Sequence, residues 1–166
     1  MKEKTLDIIK GALLIEYRGK ALYEMVAQKT ENPAVKELFQ MLVNEEVKHV
    51  EILSQQFKLV SAGGTFNASG LEKIKNQSVD QVLTKKVVKE IKGAGYEAAV
   101  IDSALELEKK AVAYYGEKEA AASTDDEKKL FNWLVKWEKE HMAMLGQISN
   151  EIREQVWYDN NFWPLD

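Results

Sequence analysis

The chain contains two histidines, and each follows a glutamate by three residues: Glu46-x-x-His49 and Glu138-x-x-His141. On a helix, residues three apart share a face at about 5–6 Å, so each motif aims a carboxylate and an imidazole in one direction. Two further glutamates keep an equal distance from these motifs, Glu16 before Glu46 (46 − 16 = 30) and Glu108 before Glu138 (138 − 108 = 30). The glutamates sit among apolar residues at helical spacing. Glu46 lies among Phe39, Leu42 and Leu53, and Glu138 among Phe131, Leu134 and Leu145. Glu16 falls between Leu13 and Tyr23, and Glu108 between Leu105 and Tyr115. Such stripes face a core, where an unpaired carboxylate costs several kcal/mol. Four converging carboxylates cannot all stay ionised without cations. Two divalent metals supply +4 against −4, with two neutral imidazoles as additional ligands. A Glu from each of two helices and Glu-x-x-His from each of two others is the donor set of di-iron and di-manganese carboxylate bundles.

The elements that must carry these residues come from an internal duplication. Offsetting the chain by 92 residues aligns 9–55 with 101–147 without a gap, and nearly a third of the aligned pairs are identical, Ile9/Ile101, Tyr23/Tyr115, Phe39/Phe131 and His49/His141 among them. A repeat of this size is two copies of one supersecondary unit. Each copy reads as a helical hairpin, because its apolar residues recur at the 3-4 spacing of a helix. The first breaks at Glu31-Asn32-Pro33, with Asn32 suited to an N-cap and Pro33 to the first helical position. The second breaks at the aligned Thr124-Asp125-Asp126-Glu127, a Thr-x-x-Glu capping box. Residues 61–70 read as a plain linker, and 79–92 as a short extra helix. The expected fold is all-α: helices over 3–30, 33–60, 96–122 and 125–155, two duplicated hairpins joined by a long crossover containing the short helix, in a four-helix bundle over 1–155. An aromatic tail, 156–166, is expected to dock on the bundle or on a second subunit, since a free tail would be polar.

Composition excludes other chemistry. With 166 residues the chain is sized for one domain. A net charge of −4 without a basic block leaves no footprint for nucleic acid. The absence of cysteine excludes disulfides, iron–sulfur clusters, thiolate zinc sites and a Cys nucleophile. No apolar run approaches the ~20 residues that span a bilayer, and the acids near the N-terminus do not suit a secretory signal. A cytoplasmic location follows as an expectation.

Glu-(x)6-Tyr followed by Glu-x-x-His, present twice, resembles the rubrerythrin-like branch of the ferritin-like superfamily over roughly 1–155, and within it the short members without a rubredoxin domain. By that resemblance Glu46 and Glu138 would bridge two metals. Glu16 and Glu108 would be terminal ligands, with His49 and His141 one per metal. Tyr23 and Tyr115 would hydrogen-bond to the ligands and serve catalysis from there. Two departures stand out: Ala111 occupies the place of a further glutamate that the founding rubrerythrins carry, and their cysteine-held rubredoxin-like domain has no counterpart here.

The function so implied is a non-haem di-iron oxidoreductase that reduces hydrogen peroxide or dioxygen. Its electrons would come from a separate donor such as rubredoxin or a flavoprotein, and a homodimer is expected. Mixed oxygen and imidazole ligation suits Fe or Mn, with Zn also possible. A ferroxidase or iron-handling protein and a metal-stabilised structural bundle remain as alternatives. Of the neighbouring residues, Glu45, Glu106 and Glu140 read as solvated, Lys20 as snorkelling or paired with a carboxylate, and Trp133 and Trp137 as core or interface.

Overall fold

A computed structural model describes residues 2–74, 81–91 and 95–159 of the chain. Among them there is no strand. The long helices are α1 (Lys2–Lys29), α2 (Pro33–Ser61), α4 (Tyr96–Ala120) and α5 (Asp125–Asp159), with a shorter α3 (Gln81–Glu90) between the hairpins. The expected all-helical, ferritin-like bundle is what the chain forms. α1 packs along α2 and α4 along α5; α1 also meets α4, and α3 lies against α2 and α5.

Local chemistry sets the helix ends. Asn32 caps α2, its side-chain oxygen accepting from the amides of Ala34 and Val35 at 3.0 and 3.1 Å. Pro33 follows, where no amide is needed. At the far end Gly63, with φ +93°, lets the chain reverse: its amide reaches the Val60 carbonyl, and the Gly64 amide reaches that of Leu59. At α5 the Thr124 hydroxyl accepts from the Glu127 amide at 3.2 Å, but the Glu127 carboxylate takes the amide of Ser123. The expected reciprocal box is thus displaced by one residue.

Three expectations need correction. Residues 61–70 are not a plain linker, because Phe66 and Ala68 are buried and Phe66 packs edge-on against Phe131 at 6.1 Å. Gln56 clamps this segment by bonding both the carbonyl and the amide of Asn67, at 2.8 and 2.9 Å, and a 3-10 turn, Leu71–Lys73, follows it. The second change is at α5, which runs four residues past the expected end at 155; Trp157 and Tyr158 sit on its last turn, 56% and 74% exposed. The remainder of the aromatic tail lies outside the described residues. The third, the burial of Glu45, belongs to the site below.

The core divides into two apolar clusters. One holds Tyr23, Leu38, Phe39 and Leu42 from the first hairpin with Ile101, Ala104 and Leu145 from the second. The other holds Tyr115, Leu130, Phe131 and Leu134 with Ile9, Ala12 and Leu53. These are the same aligned positions with the hairpins interchanged. The duplication is therefore visible as a pseudo-two-fold arrangement, and the polar residues lie about its centre.

Candidate metal centre

All six polar residues singled out by spacing are buried, none more than 3% exposed. Glu16 comes from α1, Glu46 and His49 from α2, Glu108 from α4, and Glu138 and His141 from α5. They form two overlapping quartets, Glu16–Glu46–His49–Glu138 and Glu46–Glu108–Glu138–His141, each with donor atoms within 4.8 Å of one another. Glu46 and Glu138 belong to both. Each of the other four residues belongs to one.

The imidazoles turn Nδ1 inward. His49 Nδ1 stands 3.0 Å from Glu16 Oε2, 2.9 Å from Glu138 Oε1 and 3.7 Å from Glu46 Oε2. His141 Nδ1 stands 3.1 Å from Glu138 Oε2 and 3.4 Å from Glu108 Oε1. Glu138 thus offers one oxygen to each ring, and the ring centroids are 6.2 Å apart.

The two tyrosines reach across the hairpins. Tyr23, on α1, donates to Glu108 Oε1 on α4 at 2.5 Å, and Tyr115, on α4, donates to Glu16 on α1. Burial and the facing carboxylates, Glu108 for Tyr23 and Glu16 for Tyr115, push both phenols well above their ordinary range. They keep their protons and act as donors.

Protonation shows how the cluster balances its charge. Burial pushes Glu46 well above the carboxylate range, and the charges of Glu16 and Glu138 push it further. Burial and the charge of Glu138 raise Glu108 to about 7, with His141 opposing. For the imidazoles burial works downward, but the carboxylates outweigh it. Glu138 and Glu16 raise His49 well above normal, and Glu108 and Glu138 raise His141 to about 10. Glu138, flanked by both rings, is held below its usual range despite burial, chiefly by the charge of His49. Protons occupy the cationic role that four buried carboxylates require. Divalent ions would supply the same positive charge, and a set of carboxylate oxygens with two imidazole nitrogens suits them. The residues present fit a pair of metal ions.

The surroundings of the two histidines differ. Trp137 and Trp133 pack edge-on against His49 at 5.1 and 5.5 Å, as expected of core aromatics. The aligned positions of the first hairpin are Met41 and Glu45. Glu45 is 1% exposed and pairs with Lys48 at 2.8 Å, where the sequence reading expected a solvated side chain. The signal that could have placed it is its register, three residues after Leu42 and four before His49 on the buried face of α2. Glu106 and Glu140 are exposed as expected, and Lys20 pairs with Glu24 at 2.9 Å.

Comparison with known proteins adds one finding. Neither the curated proteins nor the solved structures contain a match to this chain. The family model described as Rubrerythrin matches residues 7–149, a span that takes in all six residues of the cluster and both tyrosines. By that match the chain belongs to the Rubrerythrin family.

Proposed function

We propose that this protein is a di-iron oxidoreductase that reduces hydrogen peroxide, or dioxygen, with electrons from a separate donor protein. The observation that carries the reading is the pair of quartets sharing Glu46 and Glu138. In it, Glu46 and Glu138, which belong to both quartets, would be shared by the two ions, with Glu16 and His49 holding one and Glu108 and His141 the other. When bound, a pair of ferrous ions would supply two electrons, enough to cleave the O–O bond of peroxide to water or to reduce dioxygen to peroxide.

The protein's part is to hold and insulate. Four helices fix the donor atoms from four directions, so little reorganisation accompanies a change of metal charge. The Tyr23 and Tyr115 hydroxyls orient Glu108 and Glu16 and keep a proton at those carboxylates. The apolar clusters on either side shield the site along those faces and strengthen the charge interactions inside. Return to the reduced state draws on rubredoxin or a flavoprotein, in line with the absence of cysteine from the chain. A homodimer is part of the proposal, supported by the exposed apolar side chains Leu14, Tyr17 and Met25 along α1.

Stopped-flow mixing of anaerobically iron-loaded protein with peroxide and, separately, with air tests the reading. Much faster oxidation by peroxide is expected. Comparable rates with air would move the assignment to oxidase or ferroxidase chemistry, and a protein unable to take up iron would refute it.

A further inference from the structure

Between α1 and α4 a cavity of about 110 Å³ runs from the surface to the buried glutamates. One water needs about 10–15 Å³ of such space, so the cavity admits a small molecule of a few heavy atoms. Its lining repeats across the duplication. Gly19 and Ala111 are 92 residues apart, as are Arg18 and Lys110, and Glu46 and Glu138 at the inner end. The opening therefore takes matched residues from both hairpins and reaches the two glutamates common to both quartets. At Gly19 a Cβ would stand 3.5 Å from the Glu46 carboxylate carbon, so the missing side chain is part of the open space. Arg18 and Lys110 are exposed, and neither forms an ion pair among the described residues. Two cations are thus kept, one from each hairpin, at the mouth of a passage to a site whose own carboxylates a metal pair would neutralise.

We propose that this passage is the entry for small anions to the metal centre, and that Arg18 and Lys110 set its selectivity. The inference rests on the di-metal reading above. A narrow cleft with charged walls focuses its field and raises the local concentration of the opposite charge. Matched cations on the rim therefore favour a compact monovalent anion over a neutral molecule of equal size, and disfavour free divalent cations on this route.

The probe is azide. Iron-loaded, oxidised protein is titrated with it at low salt, binding being read from the visible absorption of the ferric–azide complex. Iron content and Tm are measured on the same samples. The double variant Arg18→Glu/Lys110→Glu changes exposed side chains only and is expected to keep two irons per chain and its Tm. Its azide Kd should rise about tenfold or more, with the difference shrinking as salt screens the rim. Lys36→Glu/Lys89→Glu imposes the same change of net charge on α2 and α3 and should shift Kd by less than about twofold. Gly19→Ala, whose added methyl makes ordinary contacts, should slow azide association several-fold while iron content holds. An unchanged Kd in the Arg18/Lys110 variant with both irons bound would overturn the proposal, as would an equal loss in the control. Wild-type protein that binds no iron pair would defeat the di-metal reading itself, and the iron assay separates that failure from a failure of the passage.

Discussion

The hydroxyl of Tyr23 ends on a carboxylate of the opposite hairpin, and so does that of Tyr115. Removing one leaves a buried carboxylate of the cluster without its donor. Partners of this kind usually account for ten- to a hundredfold in metal affinity or activity. Tyr23→Phe is therefore expected to weaken the more labile of two bound metals by about ten- to a hundredfold, with the helical circular dichroism unchanged; equilibrium titration with Co(II) measures this, and an unaltered affinity would show that the hydroxyl is idle. At this scale the sequence was legible wherever a charged side chain interrupted an apolar stripe, which located all six residues of the cluster. It was silent on which helix each tyrosine faces, because spacing along one helix does not specify its neighbour. Glu45 was misread for a related reason: adjacent glutamates at 45 and 46 cannot share one narrow stripe, yet α2 is covered broadly enough to bury both.

Helices were the most readable level. Apolar period, the Asn32-Pro33 start and the second break at Thr124 placed the four long helices within a few residues, since these ends depend on side chains adjacent in sequence. Asn32→Ala should cost about 1 kcal/mol, visible in urea melts as a lower midpoint at constant slope. Phe131 meets the linker through Phe66 and stacks on Tyr115 at 6.2 Å. Phe131→Ala is expected to cost about 3–5 kcal/mol, well beyond the effect of the cap, and equal losses would mean that the second cluster is poorly packed. What local reading missed was tertiary. The anchoring of 61–70 depends on Gln56 and on Phe131, partners that a local reading does not connect to it. The extension of α5 to Asp159 has no Gly or Pro to stop it, and only the tail's aromatic composition argued for a boundary at 155.

For the whole molecule, the buried charge cluster couples folding to pH and to metal. Glu108 and His141 have folded-state values raised to about 7 and about 10. Raised groups stabilise the fold below their unfolded values, and that contribution is lost as pH rises through the folded ones. Metal-free protein should accordingly lose stability between about pH 5 and 10 on their account, whereas Glu138, held low, acts in the opposite sense at acid pH. Metals bind the deprotonated ligands, so their stabilisation grows over the same range. The Tm difference between loaded and chelator-treated protein is expected to widen from pH 5.5 to 8; a gap that narrows would contradict a cluster built of these residues. The most direct test is the iron content of protein loaded without oxygen, compared between wild type, Glu46→Ala, His141→Ala and the exposed Glu140→Ala. Two irons per chain in wild type and Glu140→Ala, with the pair lost in Glu46→Ala and His141→Ala, is the predicted result. Two irons held with unchanged affinity by Glu46→Ala, or none in the wild type, would contradict it.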